Sequence, residues 1–179
     1  MPISKSTYKK ALKQALTDIG FTIVFERDQT FNLIRDNNTR IISTQLLVST
    51  KINPMKHGSH NGNQIDGIGV FKFSLPPLEL KPDYIIVAFE NTVTGNAEFI
   101  VVEYNDFIQR LTKRNRVIAN NAEAWFWLMP DRCVFETTNI SIEAEWYYLS
   151  KGQGRMADDT DWDYSQHLNN WNEIKNQAV

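Results

Sequence analysis

Residues 21–50 read FTIVFERDQTFNLIRDNNTRIISTQLLVST. Phe21 to Glu26 and Thr30 to Arg35 are short runs rich in β-branched and aromatic residues. Asp36-Asn37-Asn38 is a turn ahead of a longer run from Thr39 to Thr50. Such runs, separated by turn formers, predict an antiparallel meander. Leu46, Leu47 and Val48 are adjacent and apolar in the third run, so this strand is expected to be buried on both faces, near the centre of the sheet.

Upstream, Tyr8, Ala11, Leu12, Ala15, Leu16 and Ile19 recur at helical spacing behind Ser4 or Ser6 as a cap, and Gly20 is placed to end the helix. Lys5, Lys9, Lys10 and Lys13 form its other, solvated face. Downstream, Asn53 to Gly67 is dense in turn formers and predicts a surface loop. Val70, Phe71, Phe73 and Leu75 suggest a strand that Pro76-Pro77 ends. Tyr84 to Phe89 and Glu98 to Glu103 predict a hairpin closed by Asn91 to Asn96. Asn105 and Asp106 can open a helix with Phe107, Ile108 and Leu111 on one side, and a last helix is expected from about Tyr164 to Asn176. The fold class is therefore α/β of the α+β kind, a central mixed β-sheet flanked by helices, in a single domain with an aromatic C-terminal extension over about 117–179.

The chain of 179 residues carries 19 basic and 21 acidic side chains, a net charge of -2. No global field holds a polyanion, so nucleic acid would have to be met by a local basic patch. Cys133 is the only cysteine, which excludes an intrachain disulfide and a cysteine-built zinc site. There is no signal-like N-terminus and no apolar stretch near the ~20 residues that span a bilayer, so a cytoplasmic protein with no membrane partner is expected.

Few constellations carry chemistry. His57 and His60, with Asp66 nearby, have the residue types of a divalent metal site, though ordinary loop histidines explain them as well. Arg132 beside Cys133 could lower a thiol pKa, yet no base accompanies it, and a small core thiol is the simpler reading. Trp125, Trp127, Trp146, Trp162 and Trp171, with Tyr147 and Tyr148, offer a stacking platform for bases; alternatively Trp125, Trp127 and Trp146 belong to core strands and Trp171 docks the last helix. Asp83 follows Pro82 at a strand entrance and reads as a strand-entry residue.

The order helix, strand, strand, long strand, further strands and helix over about residues 6–111 resembles the core of the PD-(D/E)XK nuclease superfamily, the restriction-endonuclease-like fold. The resemblance implies a hydrolase in which an aspartate on one hairpin strand and a (D/E/Q)-x-K triplet on the next hold Mg²⁺ for phosphodiester cleavage. Asn32 stands at the aspartate position. Gln45-Leu46-Leu47 or Ser49-Thr50-Lys51 stands at the triplet, so the signature is incomplete and the site it implies is catalytically impaired. The catalytic set implied is Glu26, Asp28, Asn32, Gln45 and Lys51, with Asp28 and Asp66 as metal ligands and Mg²⁺ as cofactor if the protein is active. Lys56, Lys72, Arg110, Lys113, Arg114 and Arg116 are the expected contacts to DNA phosphates, provided they converge on one face. The alternative is a non-catalytic interaction module whose Trp/Tyr-rich C-terminal third meets a protein partner or a second copy, with Asp158 to Asp163 steering a basic partner.

Overall fold

A computed structural model describes residues 4–35, 39–49, 59–60, 63–136 and 162–177. The first helix, α1 (Lys5–Asp18), begins at Ser4, whose Oγ accepts from the Thr7 N–H at 3.2 Å. It ends where Gly20 takes a φ of 84°, the left-handed region a residue with a Cβ avoids. Tyr8, Leu12 and Leu16 are its buried stripe.

Three strands follow as the meander expected: β1 (Phe21–Arg27), β2 (Thr30–Arg35) and β3 (Ile41–Val48), paired antiparallel in order. β4 (Ser59–His60) and β5 (Asn63–Gln64) form a small pair of their own. Next come β6 (Gly67–Ser74), β7 (Tyr84–Glu90), β8 (Ala97–Glu103), α2 (Tyr104–Lys113), β9 (Val117–Ile118), β10 (Asn121–Leu128), β11 (Val134–Glu136) and α3 (Asn172–Gln177). The first sheet runs β1-β2-β3-β7-β8, with β3 and β7 parallel and the other neighbours antiparallel. β3 is thus central, and Leu46 and Leu47 are buried on its two opposite faces. A second sheet runs β11-β10-β6, with β9 beside β10. The fold is α+β with a mixed sheet.

Two cores sandwich the first sheet. On one face Phe31, Leu33, Ile42, Leu46, Ile86 and Val101 pack against Tyr8, Leu12 and Leu16 of α1 and Ile174 of α3. On the other, Leu47, Ile85, Val87, Ile100 and Val102 meet Phe71, Ala124 and Phe126 of the second sheet, together with Phe107 and Leu111 of α2. Residues 162–177 join these cores. Tyr164 sits in the core between the sheets, Leu168 bridges Ile100 on the β8 edge, and Ile174 enters the α1 core. Asn169 caps that edge, its N–H donating to the Phe99 carbonyl at 2.6 Å and its Oδ1 accepting from the Phe99 N–H at 3.0 Å.

The expected last helix is shorter than its periodicity suggests. Ser165–His167 is a 3-10 turn and Asn169 takes a φ of 50°, so α3 starts only at Asn172. Pairing with β8 overrides helix propensity there. Trp125 and Trp127 lie two apart on β10, which places both on the outer face of the second sheet, away from the core holding Ala124 and Phe126. Trp127 is buried beside Ile65 and Met129, and Trp171 packs on Phe99 just ahead of α3. Trp146, Tyr147, Tyr148 and Asp158 to Asp161 lie outside the described residues, as does most of the loop expected from Asn53. None of the described helices is long and apolar enough to cross a membrane.

Candidate nucleic-acid interface

Strand parity sorts the expected catalytic residues. Phe31 and Leu33 of β2 face α1, so Thr30 and Asn32 point to the opposite side. Asn32 is opposite Ser43, and Thr30 is opposite Gln45. Asn32 and Gln45 therefore share the face that α1 does not cover, as diagonal neighbours about 7 Å apart. Glu26 does not join them. It is opposite Phe31, on the α1 side, where Lys9 and Lys13 bind its carboxylate at 3.0 and 2.7 Å. The hydrogen bonds from Lys13 and then Lys9 hold that carboxyl below its usual range, as befits a surface ion pair. Lys51 lies outside the described residues.

Asp28 sits in the turn between β1 and β2 with a φ of 53°. Asp66 precedes β6, and its carbonyl accepts from the Thr92 N–H in the loop between β7 and β8. With β3 and β7 intervening at about 4.8 Å per strand, these two carboxylates cannot share one Mg²⁺ with its ~2.1 Å oxygen contacts. Among the described residues no group of three or more His, Cys, Asp or Glu side chains is gathered to hold a metal ion. The described members of the expected set do not fit Mg²⁺. His57 lies outside the described residues, as does the side chain of His60.

Two further acids serve the fold. The Asp83 carboxylate accepts from the Ser43 N–H at 2.8 Å and so fixes the entry of β7 beside β3. Glu98, 6% exposed, receives both Nη atoms of Arg132 at 2.6 and 3.0 Å and the Asn169 side-chain amide at 2.6 Å. Arg132 is thereby directed to Glu98. The half-buried Cys133 thiol is pushed up by burial.

The basic residues divide. Arg110 is buried and donates to Asp106, to the Asp163 carbonyl and towards His167, with its guanidinium over Tyr164. Arg114 is buried against Glu136 and lies over the Trp162 ring. These two are structural, which corrects the expectation that they meet phosphate. Lys113 is exposed at the end of α2, and Lys56 lies outside the described residues. Lys72 and Arg116 remain, and they line one groove.

That groove, about 400 Å³, is walled by Lys72, Phe73, Ser74, Arg116, Ile118, Asn121, Ala122 and Glu123. Cross-strand pairing builds it, since Lys72 is opposite Glu123 and Ser74 opposite Asn121. The Lys72 side chain is 66% exposed and spends one N–H on Glu123 Oε1 at 3.3 Å. Glu123 Oε1 also accepts from Trp125 Nε1 at 2.8 Å. That bond first, and the Lys72 bond second, hold the Glu123 carboxyl below its usual range. A second cleft, about 220 Å³, adjoins it across Lys72, Phe73 and Ser74 and is lined further by Gln29, Gln45, Leu47, Val48 and Phe71. Ser49 ties the two sheets together here, its Oγ accepting from the Val70 N–H at 3.1 Å.

The groove thus unites Lys72 and Arg116, and the cleft brings Gln45 to Lys72. Gln29, Ser74, Asn121 and Glu123 are site residues that sequence reasoning missed. For Ser74, Asn121 and Glu123 the only sequence signal was polar residues alternating with apolar ones on two runs some 50 positions apart, whose register the sequence does not state; Gln29 lies in the turn between β1 and β2, where a polar residue is ordinary. No protein family model, characterised protein or solved structure matches this chain.

Proposed function

We propose that this protein binds nucleic acid through the Lys72/Arg116 groove and the adjoining cleft, on a nuclease-like scaffold with an impaired cleavage centre. The observation that carries the reading is the convergence of Lys72, Arg116, Asn121 and Ser74 in one concave site with a single carboxylate, Glu123. Lysine and arginine supply charge to phosphate, and the amide and hydroxyl add the neutral contacts that set register on a strand. The element order from α1 to α2, with a meander feeding a longer central strand, supports the restriction-endonuclease-like scaffold. The dispersal of Glu26, Asp28 and Asp66 supports impaired catalysis.

Fluorescence anisotropy with labelled DNA and RNA of about 16 nucleotides tests this. Binding is expected, with an affinity that falls steeply with salt. The Lys72→Ala, Arg116→Ala double variant should flatten the log–log salt slope by roughly 0.7 per lost phosphate contact. Absent binding at low salt, or a slope the double variant leaves unchanged, rejects the reading. Plasmid incubated with Mg²⁺ or Mn²⁺ should stay intact; nicking that vanishes in an Asp28→Ala, Lys51→Ala double variant would restore a metal-dependent nuclease.

A protein-binding role is the second reading. It draws on Val24, Phe25 and Ile41, which are 49%, 48% and 54% exposed on the outer strands of the meander. A concentration-dependent mass in light scattering that Phe25→Lys abolishes would favour it.

A further inference from the structure

Resting on the nucleic-acid reading, we infer that the preferred ligand is single-stranded, with one unpaired base lodged in the cleft between β3 and β6 and its phosphates along the Lys72/Arg116 groove. Shape is the first reason. Duplex base edges lie at the floor of a groove and are read by a protruding helix or ribbon. This cleft is recessed between two sheets, so a base reaches its floor only once it leaves the stack.

The lining is the second reason. Gln29 and Gln45 are half-buried, and neither side-chain amide has a hydrogen-bond partner among the described residues. Each offers a carbonyl acceptor beside an NH₂ donor, the pair that matches the edge of a nucleobase. Leu47, Phe71 and Phe73 supply an apolar wall for the ring.

The edge of β6 is the third. Both backbone groups of Val70 bond Ser49 Oγ, at 3.1 and 3.4 Å, so Val70 points them away from β10. Trp125, opposite Val70, correspondingly sends its N–H to Glu136. In an antiparallel ladder this direction repeats every second residue. Lys72 and Ser74 therefore aim their N–H and C=O groups to the side where the cleft lies. Lys72 lines both cavities, which places a phosphate contact directly beside the base site.

Anisotropy competition with one sequence as single strand, as duplex, and as a strand of equal length carrying abasic sites tests the inference. The single strand should bind roughly tenfold tighter than either competitor, about what one seated base supplies. Gln45→Ala and, separately, Gln29→Ala should weaken the single strand several-fold and leave its salt slope and the thermal unfolding of the protein unchanged. Running DNA and RNA versions identifies which sugar is preferred. Duplex or abasic strand binding as tightly as the intact single strand overturns the seated base while the groove reading stands. Loss of all binding overturns both.

Discussion

His167 is the one described histidine whose side chain the fold encloses, at 5% exposure. Asp106 and Arg110 face it from α2, Glu173 from α3, and Gln166 from its own turn. Its Nδ1 lies 3.2 Å from Glu173 Oε1, and its Nε2 lies 4.0 Å from Asp106 Oδ2 and 3.5 Å from the Arg110 guanidinium. Burial is the largest influence and lowers its pKa; the Arg110 charge acts the same way, against the opposing pull of Glu173 and Asp106. The sign follows from linkage. Above about pH 6.5 both folded and unfolded imidazoles are neutral, and stability does not depend on this group. Below it the unfolded chain takes up a proton that the folded chain refuses until its own lower pKa, so stability falls with pH. Urea denaturation between pH 5 and 8 should show this fall, and His167→Gln should reduce its slope. An unchanged slope in the variant would assign the acid sensitivity to other groups.

At the scale of elements, one bulge explains why the site was only partly legible. Phe21, Ile23 and Phe25 alternate in sequence as if all three faced the core, which would put Glu26 on the open face with Asn32 and Gln45. The register of β1 against β2 shifts between Ile23 and Phe25. An extra residue reverses the parity beyond it, so Phe25 turns outwards and Glu26 turns to α1. Helical spacing and β-branched runs announced α1, the meander and the β7–β8 hairpin, because those signals are local. The pairing of β6 with β10 is not local, and with it the Lys72–Glu123 groove stayed hidden. β6 also shows how closely its elements pack. A Cβ on Gly69 would lie 2.5 and 2.7 Å from ring carbons of Phe71, which is 1% exposed, and 3.1 Å from the Phe89 Cβ. Gly69→Ala should cost about 1–3 kcal/mol by overpacking. Gly95→Ala meets nothing within 4 Å and is penalised only by its φ of +71°, at about 1 kcal/mol. Equal denaturation midpoints for the two variants would contradict the packing of β6 on Phe89.

The whole molecule is organised by the way residues 162–177 pass round the β8 edge. Over β3, β7 and β8 the first sheet is covered on both faces, and the same strap supplies Tyr164 to one core and Ile174 to the other. Polar anchors hold it along its length. The Arg110 guanidinium donates to the Asp163 carbonyl at 3.0 Å, the Asn169 amide to Glu98, the Tyr84 hydroxyl to the Glu173 carbonyl at 3.0 Å, and Arg35 to the Lys175 carbonyl at 3.2 Å. Strands β7 and β8 contribute to both cores through alternate residues, so neither core can open without disturbing the other's wall. Ile174 is fully buried, and Ile174→Ala should cost about 2–5 kcal/mol, a large share of a typical 5–15 kcal/mol. If the two cores form one cooperative unit, that loss reaches the far side of the sheet. Native-state hydrogen exchange should then show the slowest amides of β10, in the core between the sheets, losing protection by the same free energy as those of β7. Protection lost only on α1, α3 and the β8 edge would mean that the strap peels away by itself and that the two cores unfold separately.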